Sequence, residues 1–109
     1  MTVREWIIRR TPAPPASLTE RLLTVLGPDA DSDESRTAEI CLTAAARALD
    51  ALLSGGRFAR DSALELLVID ALTTYAYEHA SLQPNSGAAL EALAHRGTQL
   101  LGQLMTQRV

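Results

Sequence analysis

Apolar residues recur along this chain at intervals of three and four, the spacing that puts them on one face of an α-helix. The first such set is short. Val3, Trp6 and Ile7 share a face over residues 2–10, which predicts one or two helical turns. The TPAPP stretch at 11–15 stops that helix, because each proline removes a donor and restricts the residue before it. A second helix is expected over 17–26, with Leu18, Leu22, Val25 and Leu26 as its apolar stripe. Ser17 and Glu20 have the spacing of a capping box, and Gly27-Pro28 supplies a stop.

Three longer helices follow. The one over 35–53 separates cleanly: Ala38, Cys41, Leu42, Ala45, Ala48, Leu49 and Leu52 on one face, Arg36, Glu39, Thr43, Arg47 and Asp50 on the other. Gly55-Gly56 ends it. The next, over 61–82, has Asp61 or Ser62 as its expected cap and a stripe of Leu64, Val68, Ala71, Leu72 and Tyr75. Leu66, Leu67 and Tyr77 lie elsewhere on its circumference, among Asp70, Thr73 and Thr74. A helix apolar on more than one side belongs in the centre of a bundle or against an additional neighbour. The last helix, over 86–107, lines one face with Leu90, Leu93, Ala94, Gly97, Leu100, Leu101, Leu104 and Met105. No strand pattern and no internal repeat is seen. The fold class expected is all-α: a small up-and-down helical bundle of three long helices, one short helix and an N-terminal helical turn. Residues 1–15 form an N-terminal segment with a proline-rich connector, and 16–109 one bundle domain.

Composition sharpens this picture. At 109 residues and 47% hydrophobic, the chain can build a core without staples, but aromatics are only 4%, so that core is aliphatic and alanine-rich. The formal charge of −3 argues against nucleic acid as partner, since phosphate contacts call for a basic surface. The single cysteine, Cys41, cannot staple the chain or hold a structural zinc alone, which fits a reducing, cytoplasmic setting. No apolar run approaches the roughly 20 residues of a membrane span.

Candidate chemistry is sparse. Asp29, Asp31 and Asp33 occupy the first odd positions of a calcium loop, but Glu34 and Ile40 stand where Gly and a bidentate Glu are required. Their ordinary role is to favour the start of the helix at 35. Glu78, His79, Glu91 and His95 could hold a metal only by converging from two helices, and the repeated Glu-x-x-His of di-metal bundles is missing. His79 reads as a capping or partly buried histidine. Gly55-Gly56-Arg57 with Arg60 could receive an anion at a helix start, though a helix stop already explains the glycines. Cys41 is on a core stripe and reads as an inert thiol. Asp70, in the most apolar stretch of the chain, must be exposed or bonded. A buried polar anchor of Asp70 with Thr74, reached by Arg47 or an N-terminal arginine, is the expected arrangement.

No catalytic residue, cofactor or metal is therefore assigned. The leading expectation is a non-enzymatic protein–protein interaction module whose partner is itself or another protein. Its expected surface is Trp6, Ile7, Ile8, Leu66, Leu67 and Tyr77, with the tryptophan segment alternatively folding back over the helix at 61–82. A second reading is a bundle that binds a small apolar ligand between helices, with Asp70, Tyr75 and Tyr77 as polar groups. A third is a metal-dependent enzyme built on Glu78, His79, Glu91 and His95.

Overall fold

The computed structural model describes residues 1–55 and 60–108. These form a small all-α bundle with five α-helices, α1 (Val3–Ile8), α2 (Ala16–Leu26), α3 (Thr37–Gly55), α4 (Arg60–Ser81) and α5 (Ser86–Arg108). No strand occurs among the described residues, and none of their helices is long and apolar enough to cross a membrane. Two 3₁₀ turns, Gly27–Asp31 and Glu34–Arg36, carry the chain from α2 to α3.

Helix α4 is the centre. It packs against α3 most extensively, and also against α5 and α2. Its buried residues are Ser62, Val68, Leu72, Ala76, His79 and Ala80. From Val68 to Ala80 they fall at steps of three and four, which makes one continuous stripe. Facing elements contribute Leu22 and Leu26 from α2, and Ile40, Cys41, Ala44 and Ala45 from α3. Alanines on both α3 and α4 let these two helix axes approach closely.

The six residues of α1 belong to the same core. Thr2 caps α1 reciprocally with Glu5: the Glu5 amide donates to Thr2 Oγ1 (3.2 Å), and the Thr2 amide donates to Glu5 Oε1 (3.0 Å). The backbone then ties α1 to the 3₁₀ region, Val3 N–H donating to Ser32 O (3.0 Å) and Glu34 N–H to Met1 O (2.9 Å). Val3, Trp6 and Ile7 are buried by this docking. The N-terminal segment thus shares the bundle's hydrophobic cluster.

Three helix starts differ from the sequence expectation. Pro15, with φ −55° and ψ 149°, is the N-cap of α2 and makes no side-chain cap bond. The helix begins at Ala16, so Ser17 is already inside the first turn and its capping box with Glu20 does not form. The proline run sets an extended backbone that turns directly into the helix. Helix α3 starts two residues late because Asp33 accepts from the Ser35 amide (3.0 Å) and sets a 3₁₀ turn first. The buried Thr37 closes that turn by donating to Glu34 O (2.6 Å). Gly27 ends α2 at φ 58°, where a side chain would be strained. Helix α4 already includes Arg60, so Asp61 and Ser62 are inside it and not at its cap position.

Core membership of α1 is testable. Ile7→Ala should lower unfolding free energy by about 2–5 kcal/mol, while Ile8→Ala, at a half-exposed neighbour, should change it by less than about 0.5 kcal/mol. Urea titration measures both; equal small losses would mean that α1 is not docked. Acid provides a second test. Hydrogen bonds from Thr2 hold the Glu5 carboxyl below its ordinary range, and those from Ser35 do the same for Asp33. A folded pKa below the unfolded one contributes stability above the unfolded value, and that stability is lost as pH falls through the folded value. The docking of α1 should therefore weaken below about pH 4. The emission of Trp6, the chain's one tryptophan, reads this directly, and Thr2→Ala should move the midpoint to higher pH.

Candidate functional site

Two places on the molecule concentrate features beyond simple packing. The first surrounds Trp6. Its ring meets Tyr75 edge-on (6.1 Å between centroids, 85°) and His79 likewise (5.2 Å, 77°). The Arg10 guanidinium lies 4.4 Å over the same ring and pairs with Glu78. His79 Nε2 is 3.4 Å from Glu34 Oε1, and Gln83 donates to His79 O (3.1 Å). A cation over an indole and two edge-on rings are each favourable by roughly 0.5–2 kcal/mol, which together fix α1 on α4.

This cluster clasps α1 to α4: the Trp6 ring and the His79 imidazole are buried, while Glu34 reaches the imidazole from a partly exposed position. The buried Cys41 thiol is pushed up to about 12 by desolvation, which removes its thiolate at neutral pH. Burial likewise pushes the Tyr75 hydroxyl up, against the opposing field of Arg10.

The metal-enzyme residues do not converge. Glu78 is engaged by Arg10, His79 by Glu34 and Gln83, while Glu91 and His95 are exposed on α5. Among the described residues no group of three or more His, Cys, Asp or Glu could hold a metal ion. The three loop aspartates also face different partners: Asp29 is 3.9 Å from Arg47, Asp31 3.3 Å from Arg4, and Asp33 binds the Ser35 amide. In the expected anion site, Gly56 and Arg57 lie outside the described residues.

The second place is a cleft between α3, α4 and α5. Its volume is about 370 Å³. Ala45, Ala46 and Leu49 line it from α3, Ile69, Thr73 and Tyr77 from α4, and Gly97, Leu101 and Leu104 from α5. Among the described residues, none that lines it is charged. The hydroxyls of Thr73 and Thr98 are already spent on their own helices, donating to Ile69 O (2.8 Å) and Ala94 O (3.1 Å). Gly97 faces the Tyr77 side chain: a methyl group there would make ordinary contact, 3.6 Å from Tyr77 Oη and 3.8 Å from Leu42 Cδ2.

The structure divides the residues singled out from sequence. Trp6 and Ile7 are buried in the chain's own core and leave no surface to offer. Ile8 is half exposed. Leu66 and Leu67 are 49% and 56% exposed, and Tyr77 lines the cleft at its edge. Asp70 and Thr74 are exposed, so the expected buried anchor does not exist. Both project opposite the stripe of Val68, Leu72 and Ala76, and Arg47 pairs with Asp29 instead. The surplus of leucines on α4 hid the true stripe. For the same reason the expected ligand-binding trio falls apart: Tyr77 lines the cleft, Tyr75 packs on Trp6, and Asp70 is on the outside.

Leu101 and Met105 correct the reading of α5. They were expected on its core stripe, yet they are 56% and 65% exposed. Helix α5 packs chiefly against α3 and α4 among the described helices, so a stripe as wide as its own exceeds what they cover. A signal for this was present in the sequence. Residues 97–107 contain no charge, which is unusual for an exposed helix end.

No known protein family, curated protein or solved structure matches this chain.

Proposed function

We propose that this protein is a non-enzymatic interaction module that engages a protein partner through the face formed by α4 and α5. One observation carries this reading: Leu66, Leu101 and Met105, all about half exposed or more, stand on the two helices that wall an open, charge-free cleft. Large apolar side chains left half in water beside an apolar cleft are the kind of surface that commonly marks a contact site. Interface centres are depleted of charge and enriched in Met and aromatic residues, which matches the Tyr77 and Met105 rims. The clasp around Trp6 has a supporting role, holding α1 on the opposite side of α4 and leaving the cleft side open. A lone buried thiol is compatible with a reducing, cytoplasmic setting.

A second reading draws on the cleft's volume, which falls in the range of small-molecule sites. An apolar ligand would meet Tyr77 Oη as the cleft's remaining hydroxyl after Thr73 and Thr98 are discounted.

The interaction reading is tested in extracts of cells that naturally make the protein. The tagged chain should elute well above monomer size, and a Leu66→Asp/Leu101→Asp double variant should elute as a monomer. Because both positions are exposed, the variant should keep its melting temperature within a few degrees. Monomer-sized elution of both forms would refute the interaction reading.

A further inference from the structure

We draw no further inference here: the strongest candidate, the apolar cleft between α3, α4 and α5, carries nothing beyond the reading above, because nothing in the structure shows what covers it.

Discussion

Water must be kept from a helix that is oily on several sides, and that requirement shapes this protein. Helix α4 meets it with three kinds of neighbour. Helix α3 covers one flank closely through alanines, α2 places Leu22 and Leu26 beside it, and α1 folds back so that Trp6 covers Tyr75 and His79. Helix α5 covers the remaining flank incompletely. Each of the other features follows from how far this shielding succeeds. Where it succeeds, polar groups are paired in the shielded zone, as Arg10 is with Glu78 and His79 with Glu34. Where it stops, the cleft and its exposed leucines begin.

The division between clasp and cleft also separates a covered flank of α4 from an open one. On the α1 side, rings, an ion pair and backbone bonds to the 3₁₀ region engage Val3, Trp6, Ile7 and Arg10, while Ile8 stays half exposed. On the α5 side, the Thr73 and Thr98 hydroxyls are turned back on their own helices and Leu101 and Met105 stay exposed, while Leu93 and Leu104 still join the core.

Much of the architecture could be read from the chain before any coordinates. Helical periodicity and the Pro and Gly stops gave the number and order of helices, because these signals are local. The central place of α4 was legible in its leucines and tyrosines on several sides. Helix starts were less legible, since at Pro15 and Asp33 backbone geometry took precedence over the side-chain caps that spacing suggested. The site was less legible still. Nothing in the spacing of Leu101 and Met105 distinguishes a core leucine from an exposed one; that depends on α5 being an outer helix. Asp70 looked buried because its neighbours in sequence are apolar, whereas its neighbours around the helix are Leu66, Leu67 and Thr74 on the outer side.

The alanine seam between α3 and α4 has a mechanical consequence. Ala44, Ala45, Ala48, Ala76 and Ala80 have no side-chain rotamers to exchange, so the two helices can shift relative to each other only by parting their backbones. They make a stiff slab, to which α5 is joined by the short turn after Ser81, and the floor of the cleft over Ala45 and Ala46 takes its shape from backbone spacing and not from side-chain packing.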